Sequence, residues 1–172
     1  MRDHVDELLD QWRHERPDVD PWPMGVVGRL SRTARWLEAE LRHNFARFDL
    51  LPGEFDILAT LRRSGSPFRL TAGSLVESSM VTSGAITNRV DRLVAKELVT
   101  RETDASNRRR VLITLTDQGR ELIDEVLTHH LDVEAGLLSA LEPQEQTQLA
   151  GLLQRLLVDL GDVPGGFAAR ED

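Results

Sequence analysis

The 172-residue sequence predicts a mainly α-helical chain carrying one small β-hairpin, and three observations lead there. Apolar residues recur every three or four positions along most of the chain, the spacing of a helix with one buried face. The one convincing β-branched run is Val111-Leu112-Ile113-Thr114-Leu115. Prolines and glycines fall between the periodic segments and so mark their ends.

Asp3 to Arg16 reads as a short amphipathic helix, with Val5, Leu8, Leu9 and Trp12 on one face. Pro17, Pro21 and Pro23 form a stiff connector around Trp22. Val27, Leu30, Ala34, Leu37, Leu41, Phe45 and Phe48 then make one long helix from about Met24 to Phe48. Pro52 and Gly53 open the next helix, with Phe55, Leu58 and Leu61 on its apolar side, and Ser64-Gly65-Ser66-Pro67 ends it. Leu70-Thr71 starts a short helix with Thr71 as N-cap and Leu75 and Val76 facing inward. A further helix begins near Thr82, with Ile86, Val90, Leu93 and Val94 as its core face. Leu98–Arg101 and Val111–Leu115 are the hairpin strands, joined by a polar loop over Thr103–Arg110. Thr116 and Asp117 start a helix that runs to about Leu141, and Glu142-Pro143 starts the last. That last helix carries Leu149, Leu152, Leu153, Leu156, Leu157 and Leu160, more apolar surface than a small domain covers by itself. Such a surplus is expected where terminal helices of two chains pack together.

Composition narrows the function. The chain has no cysteine, which excludes disulfides and thiolate metal sites. No apolar run reaches the roughly 18–20 residues of a membrane span, and the polar, acidic start is not a secretory signal; a cytoplasmic protein is the expectation. His4, His14, His43, His129 and His130 form no metal-binding spacing, and the adjacent His129-His130 read as exposed. There is no glycine-rich phosphate loop and no nucleophile–base arrangement, so no catalytic residue, metal or cofactor is expected and the chain is not read as an enzyme. Net charge is −8, yet Ser78–Arg120 holds eight Lys and Arg against five Asp and Glu. A basic segment in an acidic body can still dock on phosphate, because distant exposed charges are screened.

Leu70–Lys96 fits a helix–turn–helix, whose second helix offers its N-terminal residues to base edges in the major groove. Here those are Thr82, Ser83, Thr87, Asn88 and Arg89, with Arg92 one turn on. The plainer reading of the same helices is a helical hairpin with a polar surface. The hairpin loop adds a second signal. Arg108, Arg109 and Arg110 stand together at a tip between apolar strands, a form suited to the minor groove; otherwise the tip is a solvated loop whose three adjacent cations repel one another.

The run LTAGSLVESSMVTSGAITNRVDRLVAKELVTRETDASNRRRVLITLTDQG resembles the DNA-binding core of the MarR family of winged helix–turn–helix regulators. TSGAITNRVDRL, the wing ending in LTDQG, and the preceding LLPGEFDILATLRRSG carry the match, which with the flanking helices covers about residues 24–160. One position departs: Asn107 stands where the family's wing usually has Asp before two arginines. The N-terminal segment QWRHERPDVD followed by PMGVVGRL is similar to the urate-responsive, PecS-type branch, in which an extra N-terminal helix brings a Trp to a ligand site. The resemblance implies that Trp12, Asp56, Arg63 and Arg89 surround an anionic effector such as urate, a related purine or a small carboxylate.

Helical geometry supports part of this independently. Asp56 and Arg63 are seven residues apart, so they share a helix face about 10 Å apart along the axis. An Asp and an Arg so placed can bracket a planar anion. Each residue also admits a plainer role: Trp12 packing its helix, Asp56 and Arg63 forming a surface pair, Arg89 touching phosphate.

The resulting expectation is a winged helix–turn–helix core with N- and C-terminal dimerisation helices. Residues 1–20 form the extra N-terminal helix, 21–49 a dimerisation or linking helix, and 50–116 the DNA-binding domain. Residues 117–160 form C-terminal dimerisation helices and 161–172 a flexible tail. Its partners are double-stranded DNA, a second copy of the chain and a small anionic effector, with no membrane. The rival readings are a DNA-binding protein without an effector and a dimeric protein-interaction module using the same helices.

Overall fold

The computed structural model describes residues 2–78, 83–108 and 110–163. The chain divides into two units, residues 1–43 and 44–172.

The first unit holds α1 (His4–Glu15) and most of α2 (Trp22–Ala46). α1 starts at a reciprocal cap: the Asp6 N–H donates to the Asp3 carboxylate, and the Asp3 N–H to the Asp6 carboxylate. Val5 and Leu9 are buried and lie over Gly28 and Gly25 of α2. Leu8 and Trp12, expected on the same apolar face, are exposed. Arg29 of α2 clamps the α1 cap, with its Nε 2.8 Å from Asp3 and an Nη 2.6 Å from Asp6. α2 begins two residues before the expected Met24, where Asp20 accepts the Trp22 N–H.

The second unit contains α3 (Pro52–Arg63), β1 (Arg69–Thr71), α4 (Ala72–Ser78), α5 (Ser83–Ala95), β2 (Val99–Thr103), β3 (Val111–Leu115), α6 (Asp117–Leu137) and α7 (Pro143–Asp159). The expected hairpin pairs antiparallel, Val99 opposite Leu115 and Thr103 opposite Val111. A third strand, β1, completes the sheet in the order β1-β3-β2, with Leu70 opposite Ile113. Leu70-Thr71 was expected to start a helix. Instead both residues belong to β1, and α4 follows at Ala72, with the Thr71 hydroxyl accepting the Ser74 N–H as an N-cap. A strand of three residues carries no readable period; its partner, more than forty residues on, decides it. α6 ends at Leu137, short of the expected Leu141.

The core joins these elements. Ile57, Leu58 and Leu61 of α3 are buried with Leu75 of α4, Val90 and Leu93 of α5, Val99 and Ile113 of the sheet, and Ile123 and Val126 of α6. Where the hairpin meets α6 the backbones nearly touch. A Cβ on Gly119 would lie 2.0 Å from the Leu98 carbonyl oxygen, so only glycine fits there. The Thr116 hydroxyl accepts the Gly119 N–H and donates to the Glu97 carbonyl at 2.8 Å, with the Leu98 carbonyl at 3.1 Å, locking the helix start onto the wing. α7 buries no residue: Leu149, Leu152, Leu156, Leu157 and Leu160 are all exposed, Leu160 at 75%.

Candidate functional site

Two surfaces of the second unit carry the residues singled out in the sequence other than Trp12. The first is made by α5 and the wing. Thr87 and Asn88 stand exposed on the first turns of α5, while Ile86 and Val90 on its other side are buried. Thr82 lies outside the described residues, as do the side chain of Ser83 and Arg109. Arg108 and Arg110 are exposed on the wing. The loop between the strands is closed locally. Asp104 accepts from the Ser106 N–H at 2.8 Å and the Ser106 hydroxyl at 2.7 Å, and the Arg110 N–H donates to the Asn107 carbonyl. The Ser106 hydroxyl, then its N–H, holds the Asp104 carboxyl below the usual carboxylate value. This side-chain turn presents the arginines at the tip.

Arg89 and Arg92, also read as DNA contacts, meet the start of α3, Arg92 with its side chain 56% exposed. The Arg89 guanidinium packs on Gly53 at the start of α3, where a Cβ would come within 2.4 Å of its Cζ. Its Nη1 is buried and has no hydrogen-bond partner among the described residues. Arg92 Nε sits 2.9 Å from Oε1 of Glu54, a carboxylate with no exposed surface. That contact is an ion pair whose N–H is not aimed at the oxygen, since Oε1 makes no aligned hydrogen bond. Glu54 Oε2 accepts the Leu51 N–H at 2.9 Å and the Lys96 ammonium at 3.1 Å.

The second surface is a cavity of about 590 Å³ between α3 and α6. Phe55, Ala59, Ile123, Leu127 and Leu131 form its apolar walls, and Asp56, Arg62, Arg63, Asp124, His130 and Glu134 its polar groups. It thus brings together Asp56 and Arg63, as the helix spacing requires. Arg89 is not among its lining residues. Trp12 stands on α1 in the first unit, 44% exposed.

The cavity also contains groups that sequence reasoning missed. Arg62 makes a two-pronged pair with Asp124 at 2.7 and 3.2 Å and covers the Phe68 ring at 5.1 Å. His130, expected to be exposed with His129, is mostly buried. Its ring lies 4.7 Å from Phe55 and 5.2 Å from Phe45, its Nε2 is 3.2 Å from Glu134, and its buried Nδ1 has no hydrogen-bond partner among the described residues. The i,i+4 spacing of His130 and Glu134 is visible in the sequence. The Arg62–Asp124 pair, 62 residues apart, leaves no local trace.

A three-helix core with a three-stranded wing, an exposed polar helix and an arginine tip defines a winged helix–turn–helix DNA-binding protein. The model of the MarR family matches residues 50–111. The chain is 40% identical over 152 residues to the transcriptional regulator PecS of Dickeya dadantii, covering 88% of this chain and 92% of that one. This chain belongs to the MarR family of transcriptional regulators, which bind DNA and are not enzymes. Solved structures show the same fold. An E. coli MarR variant in complex with operator DNA superposes with a TM-score of 0.68 at 23% identity, covering 91% of this chain and 99% of that one. Bordetella bronchiseptica BpsR, whose DNA binding 6-hydroxynicotinic acid regulates, superposes with a TM-score of 0.68 at 24% identity, covering 76% and 97%. No helix among the described residues is long and apolar enough to cross a membrane.

Proposed function

We propose that the chain acts as a homodimeric repressor released from its operator by a small, planar anionic effector. The observation that carries the effector reading is the cavity of about 590 Å³ on the α3 face bearing Asp56 and Arg63. That volume lies within the range of small-molecule sites. Its apolar walls suit a flat ring, Arg63 a carboxylate or enolate oxygen, and His130 Nδ1, without a hydrogen-bond partner among the described residues, one further polar atom. A structural neighbour responding to 6-hydroxynicotinic acid favours the same class of ligand. Urate, a related purine and small carboxylates remain members of that class.

In this reading the helix from Thr82 enters the major groove, with Thr87 and Asn88 at base edges, while Arg108, Arg109 and Arg110 reach the flanking minor groove. The exposed leucines of α7 pack against those of a second copy, setting two recognition helices about 34 Å apart, one helical turn of DNA. The effector binds the DNA-incompetent state preferentially, so DNA weakens effector affinity by the same factor. Trp12 and Arg89 are assigned to the effector response.

The test is fluorescence anisotropy on duplex DNA from upstream of the gene, first against salt concentration and then at fixed salt, titrating urate, trans-aconitate and 6-hydroxynicotinate. Release by one of them is expected, and Trp12→Ala, Asp56→Ala and Arg63→Ala should each abolish release while sparing DNA affinity. Binding that none of the three displaces would favour a regulator without an effector of this class. No salt-sensitive affinity for any duplex would favour a protein-interaction module.

A further inference from the structure

Glu54 has no exposed surface, yet three cations of one other helix converge on it and its neighbour. Arg89, Arg92 and Lys96 are spaced by three and four residues, so they share one face of α5. That face meets the first turn of α3. Arg89 lies on Gly53, Arg92 Nε is 2.9 Å from Glu54 Oε1, and Lys96 Nζ is 3.1 Å from Glu54 Oε2. Lys96 also donates to the Asp49 carbonyl, just before α3.

Electrostatics alone opposes this arrangement. The first turn of α3 carries the positive end of the helix dipole, roughly half a unit charge. Three cations brought against it repel it and one another. Among the described residues, Glu54 supplies the buried carboxylate that makes the meeting favourable. Removing that carboxylate leaves Lys96 with only the exposed Asp49 carboxylate at 3.4 Å and Arg92, 56% exposed, with solvent, so nothing buried holds this face of α5 to α3 and α5 turns away.

We propose that Glu54 is the positioning residue of the DNA-reading helix: its buried carboxylate ties Arg92 and Lys96, and with them the orientation of α5, to the first turn of α3. This rests on the reading that α5 enters the major groove. It assigns Arg92 and Lys96 to the protein rather than to phosphate. It also makes α3, which bears Asp56 and Arg63 a few residues on, a rigid path from the cavity to the groove.

The experiment is selection of duplexes from a random pool with the full-length wild-type protein, then measurement of selected and unselected DNA against salt. Glu54→Gln keeps an oxygen for the Leu51 N–H and loses only the charge. It is expected to lower the preference for selected over random DNA about tenfold. The slope of log affinity against log salt stays unchanged, because no phosphate contact is lost. Arg92→Gln and Lys96→Gln should behave alike, and each paired with Glu54→Gln should be non-additive. Should Glu54→Gln fail to fold by circular dichroism, Arg92→Gln and Lys96→Gln decide by themselves. A slope reduced by about 0.9 for each cation removed, with preference intact, would make them phosphate contacts and overturn the proposal. Unchanged preference in all three variants would overturn it equally. A wild-type protein that selects no sequence would remove the groove reading itself, and the proposal with it.

Discussion

At the scale of single residues, two glycines of α6 make opposite predictions. A methyl on Gly119 would meet the Leu98 carbonyl at 2.0 Å, with no flexible side chain to yield. Gly119→Ala should cost about 3 kcal/mol or more, read as a lower urea midpoint. Gly136, in the same helix, has nothing within 4 Å of an added Cβ. Gly136→Ala should raise the midpoint by the equivalent of about 0.5–1 kcal/mol, the helix-propensity gain of alanine. Equal effects of the two substitutions would contradict the backbone approach between the wing and α6.

At the scale of elements, α1 and the wing each depend on charge, in different ways. Asp3 is held below the ordinary carboxylate value first by its hydrogen bond from Arg29. Asp6 is held there first by the Asp3 N–H and then by Arg29. A depressed carboxyl contributes stability above its unfolded value and loses it as pH falls through the folded one. α1 should therefore loosen on acidification below the ordinary carboxylate range. Arg29→Met should blunt that acid dependence in a circular dichroism titration, by a small amount because Asp3 is 50% and Asp6 31% exposed. In the wing, the same Asp-centred turn that closes the loop presents cations to solvent. Arg108→Ala combined with Arg109→Ala should weaken binding to all duplexes alike and flatten the salt slope by about 0.9 per lost contact. An unchanged slope would take the wing out of the interface.

For the whole molecule, the exposed stripe of α7 bears on assembly. Leu149, Leu152, Leu156 and the capping Leu160 recur on one face, and each stays exposed. Leu152→Asp with Leu156→Asp should convert a dimer to a monomer in sedimentation, and operator affinity should fall with it, because a single recognition helix reads one half-site. A dimer that survives both changes would place the interface elsewhere.

The sequence by itself determined the order of the helices, the caps at Thr71 and Thr116, the hairpin and the face shared by Asp56 and Arg63. These follow from neighbours within a turn or two: apolar spacing, Thr116 before Gly119, and an offset of seven positions from Asp56 to Arg63. Tertiary structure decided the rest. β1 exists because β3 returns beside it, with Leu70 opposite Ile113. His130 is mostly buried because Phe45 and Phe55 cover it. Arg89 and Arg92 stand on the helix read as groove-facing, and what else a basic face touches depends on what meets it. Here that is Gly53, which leaves room for a guanidinium, and Glu54, whose buried charge attracts one. Glu54 lies 42 residues from Lys96, and no local pattern relates the two. An isolated glutamate reads as surface in a sequence, and only cations folded back onto it make its burial affordable.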